Sequence, residues 1–207
     1  MTSVNLTERR KQATRLEIAR AAARLFAQRQ PRDVTAEELA TAAGVSLRTF
    51  FRYCPTKEDA IEPLVAAGGT AWIAAFRAAP PDLPLGEALS RTAVAALTPG
   101  TDNRMSEDQR ALLRITIDDS CLRRVWQQVN FDCERELAIA IRERLGHGPS
   151  DLEVRLWAAA TTAAIRVSLE HWACDDSTSV LSPAEIVVHA MTAYTRGLPG
   201  YPSDGPP

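Results

Sequence analysis

Two short helical segments meet at a single glycine, Gly44, in the first quarter of the chain. The first segment opens at Thr35, and Glu38 three positions later completes a capping box, in which hydroxyl and carboxylate each satisfy a free backbone amide. Ser46 supplies a second cap after the glycine, and Pro55 ends the second segment. Two short helices joined by a tight turn are typical of a helix-turn-helix, whose second helix enters the major groove of DNA.

The remaining sequence also favours helix over strand. The 207 residues are 45% hydrophobic, which is enough for a sizeable core, and Ala, Leu, Arg and Glu dominate while Ile, Val and Tyr are sparse. Apolar side chains recur at helical spacing between prolines and glycines. We predict an all-α protein of about nine helices, with a three-helix DNA-binding domain over residues 1–55, a larger helical ligand-binding and dimerisation domain over 56–197, and a disordered tail over 198–207.

Charge is distributed unevenly along the chain. Residues 1–57 contain eleven basic and five acidic side chains, and the remainder contains thirteen basic and twenty-one acidic ones, although the net charge is only −2. A basic segment joined to an acidic remainder is typical of a protein that binds a polyanion, here double-stranded DNA. Solvated helix faces are the alternative explanation for part of this asymmetry.

The residues around the glycine resemble those of the TetR/AcrR family of bacterial repressors. The resemblance lies in Thr35-x-x-Glu38-Leu39-Ala40-x-x-Ala43-Gly44-Val45-Ser46-x-x-Thr49-Phe50-Phe51-x-Tyr53-x-x-x-Lys57-Glu58 and in the preceding Ile18-x-x-Ala21-Ala22-x-x-Leu25-Phe26. It implies a homodimer whose first three helices bind DNA and whose other helices form a ligand-binding and dimerisation core. Three positions depart from the family pattern: Phe51 replaces tyrosine, Cys54 replaces phenylalanine, and a usual glycine is missing near Gln30.

Base recognition is predicted for the start of the second helix of the motif. Leu47, Arg48 and Thr49, followed by Arg52, should face base edges, and arginine can donate two hydrogen bonds to guanine. Phe50 should point into the core. The alternative for the two arginines is exposed helix charge without a partner.

Contacts with the DNA backbone or adjacent bases are implied by the resemblance for a further set: Ala36, Ser46, Phe51, Tyr53 and Lys57. Lys57 is expected to be the main phosphate clamp, and Thr35 can offer its helix-terminal amide to a phosphate. Because Phe51 lacks the hydroxyl of the usual tyrosine, one phosphate hydrogen bond should be missing. The basic cluster from Arg9 to Lys11 is either a DNA-binding arm or a soluble tail.

A ligand pocket is predicted in the later helices, where large apolar side chains are concentrated. The candidate lining residues are Trp72, Phe76, Leu113, Ile117, Trp126, Phe131, Trp157, Leu169 and Trp172, each of which could instead be core. Arg114 and Arg166 in such surroundings would seek an anionic partner. That partner is either a ligand phosphate or carboxylate, or one of Asp118, Asp119 and Glu170.

A second resemblance concerns the effector. Part of the later sequence is similar to the C-terminal domain of an actinobacterial TetR branch associated with acyl-CoA-like ligands. The similar residues are Leu113-Arg114-Ile115 … Leu122-Arg123 … Glu134-x-Glu136-Leu137-x-x-Ala140-Ile141-x-x-Arg144, followed by Arg155-x-x-Ala158-Ala159-Ala160. It implies release from a palindromic operator by a small hydrophobic effector, with an anionic group as one option. The fourth helix, predicted to begin at Thr56 with Asp59 at its capping-box position, would carry the signal to the motif.

The last two helices are rich in small apolar residues and predict a dimer interface. Alanine faces let helices approach closely, and two helices from each subunit can form a four-helix interface. The candidates are Leu156, Ala160, Ala163, Val167, Ile186, Val187, Ala190 and Tyr194, with an ordinary intrachain core as the alternative. A two-fold dimer would place its recognition helices about 34 Å apart, which matches one turn of DNA and predicts a near-palindromic operator.

Other functional classes find little support in the sequence. His147, His171 and His189 belong to no nucleophilic or metal-binding constellation, although His171 and Cys174 share a helical face. No glycine-rich phosphate loop is present, so we predict neither an enzyme nor a bound cofactor or metal. A helical interaction module would leave the basic first quarter unexplained.

The cysteines and the apolar runs predict the redox state of the thiols and the cellular location of the protein. The four cysteines lack C-x-x-C spacing, which favours reduced, mostly buried thiols over a disulfide framework or a zinc site, with a redox-sensing thiol as the alternative. No uncharged apolar run is long enough for a membrane helix, and we expect a cytoplasmic protein with no membrane partner.

Overall fold

The described part of the chain consists of helices joined by short connections. The computed structural model describes residues 6–97, 107–175 and 181–196. These ranges contain nine α-helices: α1 (Leu6–Gln28), α2 (Ala36–Ala42), α3 (Leu47–Tyr53), α4 (Glu62–Ala78), α5 (Leu85–Leu97), α6 (Glu107–Asp118), α7 (Ser120–Leu145), α8 (Asp151–Cys174) and α9 (Pro183–Arg196). Two 3-10 turns occupy Pro31–Asp33 and Glu58–Ile61. The predicted all-α fold is confirmed, and the predicted tail lies outside the described residues.

The caps around the helix-turn-helix form as the sequence predicts. Thr35 Oγ1 accepts the Glu38 amide at 3.2 Å, and a Glu38 carboxylate oxygen accepts the Thr35 amide at 2.8 Å. Ser46 Oγ accepts the Thr49 amide at 3.2 Å and so begins α3. Gly44 between them has a φ of +67°, a left-handed conformation that would strain any other L-residue. The turn therefore requires glycine.

The fourth helix begins later than predicted. α4 starts at Glu62, and the capping box between Thr56 and Asp59 opens the turn Glu58–Ile61 instead. Pro63 is the physical reason, because it has no amide hydrogen for the Asp59 carbonyl four residues back and its ring crowds that carbonyl. The Glu62 amide bonds the Asp59 carbonyl three residues back, so this turn is 3-10 and the α-helix begins afterwards.

Packing divides the chain into two compact units. The first contains the residues up to Ala67 together with Ala111–Val129, and the second contains Gly68–Arg110 and the residues from Asn130. The core of the first unit includes Ile18, Phe26, Val34, Leu39, Phe50, Ile61, Leu122 and Val125, all of them buried. These units describe packing, and the functional boundary between residues 55 and 56 stays a prediction.

The second unit has its own hydrophobic core and its own side-chain hydrogen bonds to the backbone. Its buried residues include Trp72, Phe76, Leu89, Leu137, Ile141, Val154 and Val187. Arg144 near the end of α7 donates to the carbonyls of Ala79, Pro80 and Leu83 and lies 5.6 Å from the centre of the Phe76 ring. One guanidinium therefore holds the loop between α4 and α5 against α7. None of the described helices combines the length and apolarity needed to cross a membrane.

Two adjacent glycines in α4 have different surroundings. A Cβ atom added at Gly68 would meet nothing within 4 Å, whereas one added at Gly69 would lie 3.1 Å from Cys133 Sγ on α7. That distance is shorter than ordinary van der Waals contact, so Gly69 allows α4 to approach α7 closely. Gly68 has no such packing role and lowers helix stability.

We predict opposite outcomes when the two glycines are replaced. Gly68→Ala should raise the free energy of unfolding by about 1 kcal/mol, because alanine is the better helix former. Gly69→Ala should lack this gain, because its methyl group presses on the Cys133 side chain. The double variant Gly69→Ala/Cys133→Ala should recover it. Urea denaturation followed by circular dichroism measures all three, and equal gains from both single variants would contradict the contact.

Candidate functional site

One buried phenylalanine sets the orientation of α3. Phe50 is fully buried, whereas Arg48 and Arg52, two positions before and after it, are exposed. Two residues correspond to about 200° of rotation in an α-helix, so both arginines lie on the face opposite Phe50. The prediction that Phe50 belongs to the core is confirmed, and its burial turns the two arginines outward.

The two arginines differ in their own contacts. Arg48 makes no hydrogen bond or ion pair with the residues that the structure describes. The Arg52 guanidinium lies 4.8 Å from the centre of the Tyr53 ring, and its Nη2 donates to the Tyr53 hydroxyl at 3.3 Å. A cation over an aromatic face is weakly held at an exposed site. Arg48 is free to bind an anion or a base, whereas Arg52 must first leave its neighbour.

The other predicted interface residues lie in α2, α3 and their caps. Thr35, Ser46 and Phe51 are exposed, and Ala36, Leu47, Thr49, Tyr53 and Lys57 are partly exposed. The Ser46 hydroxyl donates to Thr49 Oγ1 at 2.9 Å, so these two hydroxyls are paired with each other. The Phe51 ring packs edge-on against Phe50 and keeps 49% of its surface exposed. None of the ten predicted DNA-contact residues is buried, and their role in DNA binding stays a prediction.

The Thr35 amide has a different partner from the one expected. We expected it to be offered to a phosphate, but it donates to the Glu38 carboxylate within the capping box. This hydrogen bond, together with one from Arg29 at 2.8 Å, lowers the pKa of Glu38 below its ordinary value. Glu38 is thus ionised at neutral pH and keeps the Thr35 amide occupied.

Lys57 makes the most extensive polar contacts of the predicted set. Its Nζ donates to the carbonyls of Pro31 at 2.8 Å, Arg32 at 3.3 Å and Val34 at 2.7 Å. The Glu58 carboxylate lies 3.9 Å away. An ammonium group has three donors, and all three are used by these carbonyls. The expected phosphate clamp is engaged with the protein backbone in this structure.

Two ion pairs connect the motif to helices distant in sequence. Arg124 in α7 bonds Asp59 at 3.0 Å, and Arg15 in α1 bonds Glu62 at the start of α4. Sequence reasoning missed Arg124, because it lies 65 positions from its partner and no local pattern indicates such a contact. Both pairs fix the segment that follows α3.

The predicted ligand residues fall into both compact units. In the second unit, Trp72 and Phe76 are buried in one core to which Trp157 also packs. Leu113, Arg114, Ile117 and Trp126 belong to the first unit, where Leu113 and Trp126 are buried and Arg114 is exposed. Arg166 bonds Glu170 at 2.9 and 3.1 Å, which is one of the alternatives that the sequence left open.

The other candidates for the pocket differ in exposure. Trp172 is buried and Leu169 is half-buried, and the Arg110 guanidinium lies 5.5 Å from the centre of the Trp172 ring. Phe131 was expected to line the pocket, but 55% of its surface is exposed, because its position on α7 faces away from the core. Whether any of these residues binds an effector stays a prediction.

The second unit also has an open cleft of about 560 Å³ where the end of α7 meets the start of α8. It is lined by Ala138, Ile139, Arg142, Glu143, Gly146, His147, Asp151, Val154 and Arg155. Arg142 holds the connecting turn by donating to the Gly146 and Pro149 carbonyls and to Asp151. None of the predicted ligand residues lines this cleft.

Most predicted dimer residues lie on the surface of α8 and α9. Leu156 and Val167 expose 56% and 51% of their surface, and Ala160, Ala163, Ile186 and Ala190 are half-buried. Val187 is different: it is fully buried in the core of the second unit, because it lies on the face of α9 that packs inward. It therefore contributes to the intrachain core. The side chain of Tyr194 lies outside the described residues.

A shallow apolar groove of about 330 Å³ runs beside these residues. Its lining is Val167, Ser168, His171, Ile186, His189 and Ala190. The groove places the exposed stripe of α8 beside that of α9 on one surface. No group of three or more potential metal ligands occurs among the residues that the structure describes.

The fold, with its exposed α3, is that of a helix-turn-helix DNA-binding regulator with a helical C-terminal domain. Residues 18–62 match the family described as "Bacterial regulatory proteins, tetR family", and residues 83–199 match the family described as "MftR C-terminal domain". The chain belongs to the TetR family of transcriptional regulators, and it is a regulator rather than an enzyme. No functionally curated protein matches the sequence.

Solved structures share this fold. A TetR-family regulator from Mesorhizobium loti has 21% identity and a TM-score of 0.55 over 88% of this chain and 94% of its own. The fatty acid degradation regulator FadR from Bacillus halodurans has 18% identity and a TM-score of 0.57 over 90% and 96%. A TetR-family regulator from Rhodococcus sp. has 16% identity and a TM-score of 0.57 over 88% and 96%. At these identities the similarity establishes the fold.

The four cysteines have two kinds of surroundings. Cys54 at the end of α3 and Cys133 in α7 are shielded, and burial raises the pKa of each thiol to about 11. Cys121 and Cys174 are exposed. A thiol reacts through its thiolate, so the shielded pair is chemically protected.

We therefore expect selective alkylation of the native protein. Raising a thiol pKa from 9.0 to about 11 lowers its thiolate fraction at pH 8 about 100-fold. Iodoacetamide should label Cys121 and Cys174 first and should reach Cys54 and Cys133 only after denaturation in urea. Peptide mapping by mass spectrometry gives the order, and early labelling of Cys54 in the native protein would contradict the burial of that thiol.

Proposed function

We propose that this protein is a ligand-responsive repressor that binds a near-palindromic operator as a homodimer. The observation that carries the proposal is the orientation of α3: buried Phe50 turns Arg48 outward, and Arg48 has no partner in the part of the chain that the structure describes. The effector is a small hydrophobic molecule, and an acyl-CoA-like compound is the first candidate.

Base reading would begin with Arg48. An arginine whose five donors are free can bind the O6 and N7 atoms of guanine with two hydrogen bonds, and such a pair discriminates against a wrong base by about 1–3 kcal/mol. Arg52 would join after leaving the Tyr53 ring. Thr35, Ala36, Ser46, Leu47, Thr49, Phe51, Tyr53 and Lys57 complete the proposed interface around the arginines.

Dimerisation would cover the apolar surface of α8 and α9. Leu156 and Val167 lie 11 positions apart, about three helical turns, and therefore on the same face of α8. Half-buried alanines between them leave room for a second helix to approach. A two-fold axis through this surface would generate two reading helices and hence a palindromic site.

Effector binding would act through α4. This helix contributes its first residues to the first compact unit and its later residues, including Trp72 and Phe76, to the second. A ligand that contacts these aromatic side chains would bias the position of α4 and so of the motif that precedes it. The similarity to the fatty acid degradation regulator FadR supports an acyl-chain effector as the first to test.

Arg48→Ala should weaken operator binding about 5- to 150-fold, the range expected for loss of one bidentate arginine–guanine pair. The operator is first selected from random duplex DNA with the wild-type protein, and affinities are then measured by fluorescence anisotropy at fixed salt. A G·C to A·T change at the contacted base pair should weaken the wild type but not the variant.

Arg91→Ala is the matched control, because Arg91 is an exposed α5 arginine paired with Glu87 in the second unit. It removes the same charge and should bind the operator like wild type. Wild-type affinity in Arg48→Ala, or failure of the wild type to select any palindromic sequence at low salt, would refute the proposed reading helix.

Leu156→Glu and Val167→Glu should each dissociate the dimer, because a carboxylate would be buried against apolar side chains of the partner. Light scattering on a sizing column should show a mass falling towards 22.6 kDa. Ile139→Glu on α7, whose side chain is 49% exposed, is the control and should remain dimeric. An unchanged mass in both α8 variants would contradict the assigned surface.

The effector hypothesis is tested with a long-chain acyl-CoA, the free fatty acid and coenzyme A in parallel. We expect the acyl-CoA to raise the thermal unfolding midpoint and to release the protein from its operator. Trp72→Ala should reduce both effects. A compound that stabilises the protein without changing operator affinity would contradict coupling through α4.

A further inference from the structure

Lys57 joins the beginning and the end of the helix-turn-helix segment. Its Nζ bonds the Val34 carbonyl at 2.7 Å, although the two residues are 23 positions apart. Pro31 and Arg32 provide the other two acceptors, so all three belong to the connection between α1 and α2. Lys57 itself lies in the connection between α3 and the turn Glu58–Ile61.

Two of these carbonyls depend on Lys57 for a partner. The Pro31 carbonyl also accepts the Val34 amide at 3.3 Å, whereas Lys57 is the hydrogen-bond donor given for the Arg32 and Val34 carbonyls among the described residues. The 3-10 turn Pro31–Asp33 is short, so few backbone amides are available to the carbonyls at its end. The Val34 side chain and Pro31 are buried, which makes an unbonded carbonyl beside them costly. A tetrahedral ammonium group suits three acceptors that converge on one point.

The charge of Lys57 is also balanced within the protein. The Glu58 carboxylate lies 3.9 Å from Nζ, and the Lys57 and Glu58 side chains are only 23% and 17% exposed. To contact a phosphate, Nζ would have to give up bonds to backbone carbonyls and move away from an opposite charge. A cation with exposed donors, such as Arg48, has no such cost.

We propose that Lys57 is a positioning residue that clips the two ends of the helix-turn-helix together, and that it is not a phosphate clamp. The clip fixes α2 and α3 as one body, so that Arg48 meets the major groove at a constant angle. Any displacement of the segment after α3 would move the whole motif. This inference rests on the proposed operator binding and reassigns one residue within it.

The experiment compares Lys57→Arg and Lys57→Met with the wild type at salt concentrations from 50 to 200 mM, on the operator selected by the wild type. Arginine is an excellent phosphate ligand, but its planar fork does not direct three donors at three converging carbonyls. We expect both variants to lose about tenfold or more in affinity, the range for lost hydrogen bonds to a charged group. Their plots of log affinity against log salt should stay parallel to that of the wild type.

A phosphate clamp predicts a different pattern. Lys57→Arg would then bind like wild type, and Lys57→Met would have a salt slope smaller by about 0.9, the value for one lost phosphate contact. Either result would overturn the proposal. Hydrogen exchange in the absence of DNA gives an independent measurement: the clip predicts faster exchange of the amides of residues 33–39 in both variants, and unchanged exchange there contradicts it.

Arg32→Met is the matched control. Arg32 is in the same turn, and its side chain is 82% exposed with only a 3.8 Å contact to Asp33. Removing it takes away a charge but no carbonyl partner, so exchange over residues 33–39 should match the wild type. If Lys57→Met loses helical circular dichroism in the absence of DNA, that loss supports the clip, because no phosphate contact is involved. Operator affinity is then compared between Lys57→Arg and the wild type. If the wild type binds no palindromic DNA, the proposed function fails while the exchange comparison still tests the clip.

Discussion

Burial of Phe50 is the contact on which the orientation of α3 depends. α3 has only seven residues, too few for an isolated helix to persist in water. Its stability comes from the core of the first unit, where the Phe50 ring packs with Leu39 and Ile61. The same contact fixes the rotation of α3 about its axis, and it therefore determines that Arg48 faces solvent. The burial that stabilises α3 therefore also exposes Arg48.

The segments that flank α3 bury Val34 and Ile61 in this core and are also held by hydrogen bonds and ion pairs. Lys57 bonds the connection between α1 and α2, while Asp59 accepts both the Thr56 amide and Arg124. Each of these contacts reaches a residue near the end of α3. The position of α3 therefore depends both on a small apolar core and on polar contacts at its edges.

Sequence reasoning was most successful where structure is local. The capping box at Thr35, the cap at Ser46 and the tight turn at Gly44 follow from residue types within a few positions, and these predictions are confirmed. It was wrong at the start of α4, where the capping signal at Thr56 was recognised but the effect of Pro63 was not. It placed Val187 on the surface because small apolar residues look alike whichever face of α9 they occupy.

The sequence by itself determined the helical fold and the family, because caps, glycine geometry and apolar periodicity are encoded by near neighbours. The side chains that meet DNA stay a prediction. Only the tertiary structure decided what each cation does. Arg48 has no hydrogen-bond or ion-pair partner among the described residues, Arg52 lies against the Tyr53 ring, and Lys57 is bound to carbonyls 23 to 26 positions away. Partners so distant in sequence are chosen by packing, and an ammonium group looks the same in a sequence whether it binds a phosphate or its own backbone.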